Sequence, residues 1–315
     1  MSTRPHPSFL HFIRTVVAVA AALAVTVPGS RSIHAQAAAD KIIVSGASGN
    51  LGGLTVDELL ARGVPANQLI LVSRTPNELG KYKDMGASVR FGDFTKPESL
   101  PTAYAGGTKM LLISVGGSGE VTAAELLTRA IDAAKAAGVK HIAYTSYVGI
   151  TRGDTAGRAA DHQATEEALR ASGIAWTMLR NSIYMHGLIG QAARMVADGR
   201  AVIPPNESTI GYVTREDCAR AAAAVLSTPG HENMAYDITG PELLGVRETA
   251  AVASAVTGKP IEVVQGGADV RPGFGRPAMS FTTSHFKDLT GREPTSLRQL
   301  FAASKDALLT PPAAR

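Results

Sequence analysis

Between residues 41 and 184, six short apolar runs alternate with longer stretches whose apolar residues recur every three or four positions. The runs are "KIIVSG", "QLILVSR", "SVRFGDF", "KMLLISV", "HIAYTSYV" and "AWTMLRNSIY". Short apolar runs stopped by glycine read as strands, and period-3.6 stretches such as "NLGGLTVDELLARG", "TAAELLTRAIDAAKAAG" and "AADHQATEEALRASG" read as helices. Sustained alternation means repeated βαβ units, which build a parallel sheet with helices on both faces. The fold class expected is therefore α/β with a doubly wound parallel sheet. From about residue 187 the alternation loosens, and a smaller C-terminal α/β substrate lobe is expected over residues 187–315 of a single domain spanning 38–315. It holds the helices "IGQAARMVADG", "TREDCARAAAAVLS" and "RETAAVASAVTG", the strands "AYDITG" and "IEVVQG", the Gly/Pro-rich loop "GGADVRPGFGRPAMS" and the tail "TPPAAR".

The first run ends in "GASGNLGG", which puts Gly46, Gly49 and Gly52 at GxxGxxG spacing where strand becomes helix. The first glycine permits a sharp reversal, the second a close approach of backbone to a pyrophosphate, and the third close packing of helix on sheet. The helix start presents unpaired N–H groups and a positive dipole end. Ser48 and Asn50 add side-chain donors, and Leu51 belongs to the same turn. Glycine spacing alone is weak. Its place at the head of a βαβ series favours a dinucleotide site over a purely structural turn. Arg74 ends the second run, where an NAD-preferring site places an acid; an arginine suits a 2′-phosphate, so NADPH is favoured over NADH. Asp93, in "FGDF", either accepts from an adenine amino group or caps the following helix.

The N-terminus is a separate object. Residues 1–39 contain no acid, Arg4 and Arg14 precede the apolar run "TVVAVAAALAVTV", and Ala35-Gln36-Ala37 follows. This is the pattern of a signal peptide over residues 1–37, with export to periplasm or exterior expected, or a cytoplasmic location if the leader does not function. No Arg-Arg pair marks a twin-arginine route. The run is shorter than the ~20 residues of a membrane span, so no stable span is expected after cleavage. Removing Arg4, Arg14 and Arg31 leaves 28 basic against 27 acidic side chains, a net charge of +1. The high pI is thus poor support for nucleic-acid binding, and none is expected. Cys218 is the single cysteine, which excludes an intramolecular disulfide and a multi-cysteine zinc site. It reads as a small buried apolar residue. No metal site is expected, and a homodimer is among the assemblies the sequence allows.

With the glycine turn, Arg74 and "FGDF" in place, the chain resembles an atypical short-chain dehydrogenase/reductase of the NmrA-like group. It is most similar to the branch of NAD(P)H:quinone oxidoreductases and triphenylmethane reductases. The stretches "GASGNLG", "KMLLISV", "AAKAAGVKHIAYTS", "DHQATEEALRASGIAWTMLRNSIY", "AYDITG" and "LTGREPTSL" carry the resemblance over most of residues 41–301. It implies a Rossmann-type sheet with the cofactor across the strand C-termini. The first turn and Arg74 would hold the adenosine half, Asp93 and Phe94 would flank adenine, and Ser114, Val115 and Gly116 would line the ribose and pyrophosphate path. Thr145, Ser146 and Tyr147 would lie near the nicotinamide, with Asn181 and Tyr184 on the substrate side.

Two departures shape the functional expectation. No Tyr-x-x-x-Lys pair is present: Tyr144 is followed four later by Val148, and Tyr147 by Thr151. Quinone reduction tolerates that loss, because the hydroquinone anion is far less basic than an alkoxide and positioning carries much of the barrier reduction. The segment 267–284 is short and rich in Gly and Pro where related reductases carry a longer helical piece, which implies a more open pocket. The expected function is NADPH-dependent hydride transfer to a quinone or similar planar acceptor; the alternative is a non-catalytic NADP(H)-binding sensor. An isomerase or epimerase ranks lowest, since those commonly need the missing pair. The catalytic candidates are His162, Asn181 and Tyr184. His162 is a proton or hydrogen-bond donor or else a helix-surface residue, with Glu166, four residues on, as its orienting partner or a solvated charge. Asn181 holds a carbonyl or satisfies the strand end, and Tyr184 stacks on a planar substrate or packs under a loop.

Overall fold

The computed structural model describes residues 40–154, 157–266 and 276–310. The expected leader, most of the Gly/Pro-rich loop and the end of the tail lie outside the described residues.

Strand β1 (Ile42–Ser45) is buried along its whole length and pairs in parallel with β2 (Leu69–Ser73) on one side and β4 (Lys109–Leu112) on the other. β3 (Ser88–Phe91) extends the first side. β5 (His141–Tyr147), β6 (Ala175–Asn181) and β8 (Met234–Ile238) extend the second. The order β3-β2-β1-β4-β5-β6-β8 is that of a Rossmann-type sheet. Side chains alternate between faces with period two. Ile42, Val44 and Leu71 meet one layer of helices, while Ile43, Ile70 and Met110 meet the other.

The first layer contains α1 (Asn50–Ala61), the short α2 (Gly80–Asp84) and, further along the chain, a long alanine-rich helix; the Tyr82 hydroxyl of α2 donates to Asp57 of α1 at 2.9 Å. The second contains α3 (Leu100–Tyr104), α4 (Ala123–Ala136) and α5 (Arg158–Ala171), which bury Leu100, Leu127, Ile131 and Leu169 against the sheet. α6 (Gly187–Asp198) then leaves the sheet, and β7 (Arg200–Ile203) follows it through Gly199, whose φ of +63° closes the helix. α7 (Arg215–Ser227) is the alanine-rich helix, and it packs on α1. Its Ala219 and Ala221 to Ala224 are fully buried, and the free thiol of Cys218 sits among them as expected, pushed well up by burial. α8 (Val246–Thr257), β9 (Glu262–Gln265), α9 (His285–Thr290), α10 (Leu297–Ala303) and α11 (Lys305–Leu309) complete the described chain.

The expected C-terminal lobe is only partly separate. β7 and β9 form a small parallel sheet, and α6, α8, α10 and α11 share their own core around Met185, Leu188, Phe301 and Leu308. But α7 and β8 return to the main sheet between those elements, because their apolar faces match its open edge and the layer beside α1. Buried Asp217 locks the return. Its carboxylate accepts from Arg220 at 2.9 Å and from the Thr295 N–H at 2.8 Å, tying "GREPTSL" onto α7.

Close approach of α1 to β1 rests on one residue. A Cβ on Gly52 would lie 2.2 Å from the Gly46 carbonyl oxygen and 2.8 Å from Ala47 Cα. Both are backbone atoms that cannot swing aside. We expect Gly52→Ala to lower unfolding stability by about 1–3 kcal/mol, measured by urea denaturation; an unchanged midpoint would contradict this packing.

Candidate functional site

The strand order reverses between β1 and β4, and a cleft of about 700 Å³ opens there, at the C-terminal ends of β1, β2 and β4. That volume is within the range of ~300–1,000 Å³ that holds small molecules and cofactors. Gly46 makes the reversal with φ +76°, and its N–H and that of Ala47 donate to the Val72 carbonyl at 2.9 and 3.0 Å. The turn delivers α1 to the cleft with Gly49 as N-cap. Gly49 has no side chain to cap the helix, and no acid stands in the first turn. An uncapped positive end facing a cleft suits an anionic group.

Beside it, Ser48 Oγ lies 2.7 Å from Ser73 Oγ and 3.1 Å from Thr75 Oγ1, and the Thr75 N–H donates to Ser73 Oγ at 2.8 Å. This hydroxyl cluster adjoins exposed Arg74, which makes no ion pair among the described residues. A cation with several hydroxyls is the donor set a phosphate monoester needs. Asp93 and Phe94 form the next wall. Asp93 does not cap the following helix, whose N-cap is Lys96; it closes the local turn instead, Oδ1 accepting from the Thr95 N–H at 2.9 Å and the Thr95 hydroxyl at 2.8 Å. Val115 and Gly116 line the opposite side, and a Cβ on Gly116 would meet nothing within 4 Å. Of the expected turn residues, Gly46, Ser48 and Gly49 line the cleft. Gly52 is a packing residue, and the Leu51 side chain lies in the core. The bare turn, the hydroxyls and Arg74 thus fit a dinucleotide.

The loop after β4 also borders a second cavity of about 420 Å³, lined by Ser114 where Val115 lines the first. Here the ends of β5 and β6 meet α5 and α6. Thr145 Oγ1 accepts the Ser114 N–H at 2.8 Å and donates to Ser114 Oγ at 3.3 Å, which pins the loop. Asn181 and Ser182 are buried in the wall, and Asn181 Oδ1 and Ser182 Oγ have no hydrogen-bond partner among the described residues. Orphaned buried polar atoms beside a cavity are costly unless a ligand meets them. Tyr184, Tyr147 and Tyr212 supply aromatic walls, with the Arg215 guanidinium 4.9 Å from the Tyr184 ring centre. Arg158 and Arg276 supply cations.

His162 lines this cavity and stacks on Tyr147, the ring centres 5.7 Å apart. Its Nδ1 is 2.8 Å from the Tyr144 hydroxyl. Burial lowers its pKa to about 4, against weaker upward pulls from Asp161 and Glu166. The ring is therefore neutral at pH 7: it can hydrogen-bond to a ligand but holds no imidazolium proton to give. Glu166 does not pair with His162. Its buried carboxylate takes the Ser146 hydroxyl at 2.6 Å, Arg180 through Nε and a terminal nitrogen at 2.8 Å each, and Arg170 at 2.7 Å. Ser146 and Arg180 are direct neighbours in the β5–β6 register, so the carboxylate bridges the strands from α5. Burial alone would raise its pKa; the arginine and serine hydrogen bonds outweigh burial and hold it lowered and ionised. Ser146 consequently presents an acceptor, not a donor, to the cavity.

Sequence reasoning missed Ser73, Thr75, Arg158, Ser182, Tyr212 and Arg276. "LRNSIY" contained the signal for Ser182, next to Asn181. Among the described residues no cluster of His, Cys, Asp and Glu has metal-site geometry, and no helix is long and apolar enough to cross a membrane.

A family model described as NAD(P)H-binding matches residues 46–229. Quinone oxidoreductase 2 of Escherichia coli (strain K12) is 35% identical over 222 residues, covering 70% of this chain and 76% of that protein. The NAD(P)H azoreductase of Xenophilus azovorans is 29% identical over 223 residues, covering 71% and 76%. The crystal structure of Citrobacter sp. triphenylmethane reductase complexed with NADP(H) superposes with a TM-score of 0.75 at 31% identity, over 84% of this chain and 99% of that one.

The Glu166 network makes stability depend on pH in a defined window. Its folded pKa is below the ordinary 4.5, so its stabilisation is whole above pH 4.5 and is lost as pH falls through the lower folded value. His162 adds a separate loss between pH 6.5 and about 4, where the unfolded ring binds the proton that the folded one refuses. We expect Glu166→Gln, which leaves Arg180 without its counter-ion, to cost about 3–5 kcal/mol at pH 7. Denaturation across pH should show a shallower loss below pH 4.5 in the variant and an unchanged loss above it.

Proposed function

The chain belongs to the NAD(P)H-binding family, and from that premise we propose that it is an oxidoreductase that prefers NADPH and passes hydride to a quinone or similar planar acceptor. The relatives named quinone oxidoreductase and NAD(P)H azoreductase support NAD(P)H-dependent oxidoreduction; the acceptor is the finer reading. One observation carries it: two cavities border on the loop after β4, one with an uncapped helix end and a cation among hydroxyls, the other walled by three tyrosines.

The turn from Gly46 to Gly49 would hold the diphosphate, and Arg74 with Ser48, Ser73 and Thr75 the 2′-phosphate. When bound, the reduced nicotinamide supplies the hydride. Thr145 keeps Ser114 in place where the cavities meet. Ser146, its own proton committed to Glu166, offers an acceptor oxygen to an amide N–H. The unpartnered Asn181 Oδ1 and Ser182 Oγ offer polar contacts in the wall, the first to a ligand N–H and the second to a ligand carbonyl or N–H. Tyr184 and Tyr212 give a flat acceptor apolar faces and exclude water around it.

The neutral state of His162 favours a second reading, a sensor that binds NADP(H) without turnover, because it removes an obvious acid from the cavity. Steady-state NADPH oxidation by the purified protein, with a benzoquinone and with an azo dye, separates the two. Turnover is expected. Tight NADPH binding with no oxidation by either acceptor would defeat the catalytic reading. For the cofactor, we expect Arg74→Ala to weaken NADPH about 10- to 150-fold, the worth of a charge-assisted hydrogen bond, with NADH little changed in the same fluorescence titration. Equal weakening of both would remove Arg74 from the 2′-phosphate site.

A further inference from the structure

We propose that Tyr147 is the proton donor to the acceptor and that Arg276, from a distant loop, is the cation that fits its phenol for that role. The proposal deepens the functional reading above and rests on the tyrosine-walled cavity being the acceptor site.

Reduction by hydride leaves an oxyanion that needs one proton, and the cavity holds few groups able to give it. His162 is neutral, with Tyr144 at its Nδ1. The Ser146 proton is held by Glu166, and that of Thr145 by Ser114. Arginine does not release a proton in proteins. Three phenols remain, and their surroundings differ. Tyr184 has its cation on the ring face. Tyr212 has only the acidic Glu207 as a charged influence. Tyr147 alone among them has a cation at its oxygen: the Arg276 guanidinium donates to it at 2.8 Å. Arg276 is itself held by Asp154, 3.2 Å away.

The Tyr147 proton is poorly held within the protein. Its available acceptors are the Met279 sulfur at 2.9 Å and Asp154 Oδ2 at 3.3 Å. A thioether is a weak acceptor and the carboxylate is distant. A carbonyl oxygen entering the cavity is a better partner than either. The ring cannot drift away, being stacked on His162 and packed with Val148 and Met279. Charged groups around it are Arg276 and Asp154 from their loops and Arg158 from α5, with His162 neutral. Burial raises the phenol pKa, with Arg276 opposing, so the hydroxyl is protonated at pH 7, the state a donor requires.

The step balances. The acceptor gains two electrons with the hydride and places a pair on its oxygen. The Tyr147 O–H bond breaks and an O–H bond forms on the acceptor. The phenolate left behind is neutralised by Arg276, and water restores its proton. A phenol beside a cation is what a Tyr-x-x-x-Lys pair provides within one helix; here the partners are 129 residues apart in sequence.

The experiment uses the full chain as wild type, Tyr147→Phe, Arg276→Gln and Arg276→Lys. NADPH affinity, kcat with benzoquinone across pH, and the Tyr147 titration by NMR with ring-labelled tyrosine are measured for each. Tyr147→Phe should lower kcat by at least about 100-fold, and saturating NADPH should not restore it. Arg276→Gln should move both the Tyr147 titration and the alkaline limb of kcat to higher pH by about one unit, and Arg276→Lys should bring both back. A merely structural arginine would move neither. With an active wild type, an unchanged kcat in Tyr147→Phe, or an unmoved titration in Arg276→Gln, overturns the proposal alone. A wild type that binds NADPH but reduces no acceptor overturns the functional reading, and the donor role with it.

Discussion

Right-handed crossovers let a chain leave its first strand in one direction and later return to leave it in the other. The crevice between β1 and β4 follows from that constraint. Every group assigned to the first cavity follows the C-terminal end of β1 or β4, or of β2 and β3 beside them. What makes the crevice usable is local: Gly46 turns the chain through a left-handed conformation, and Gly52 lets α1 seat against that turn. The helix therefore arrives with its amide end at the opening and no side chain in the way.

On the other half of the sheet, one buried carboxylate has the equivalent role. Glu166 joins α5 to β5 through Ser146 and to β6 through Arg180. The strand ends that carry Thr145, Tyr147, Asn181 and Ser182 are thus braced through Ser146 and Arg180. An ion pair so buried is weak support for net stability, since desolvation offsets most of its attraction. Its effect is on geometry and protonation: it fixes which way the Ser146 hydroxyl points.

Much of this was legible in the chain. The first six strands and helices α1, α4 and α5 stand within a few residues of the expected runs, because each is an apolar period stopped by glycine. β7 was not foreseen: it is four residues long, and its alternation is too brief to register after a helix ending in glycine. α9, α10 and α11 are too short to show a helical period. Within the site, the glycine turn, Arg74 and "FGDF" were legible because sequence-local geometry brings them to one edge. Neither role open to Glu166 from spacing, orienting partner of His162 or solvated charge, is the one it has, because its partners Ser146 and Arg180 lie on strands far away in sequence. A buried carboxylate takes the strongest cations within reach, and Arg180, an arginine inside a buried strand, was the clue that such an acid must exist. Arg276 had no local signal at all.

That arginine arrives on a loop outside the sheet and contributes one atom to a tyrosine that the sheet holds. Acidity and architecture are in this way carried by separate stretches of polypeptide. Exchange of that loop would retune the strength of the acid while leaving the coenzyme cradle untouched, so lineages could diversify their chemistry by swapping a peripheral module instead of rebuilding the scaffold.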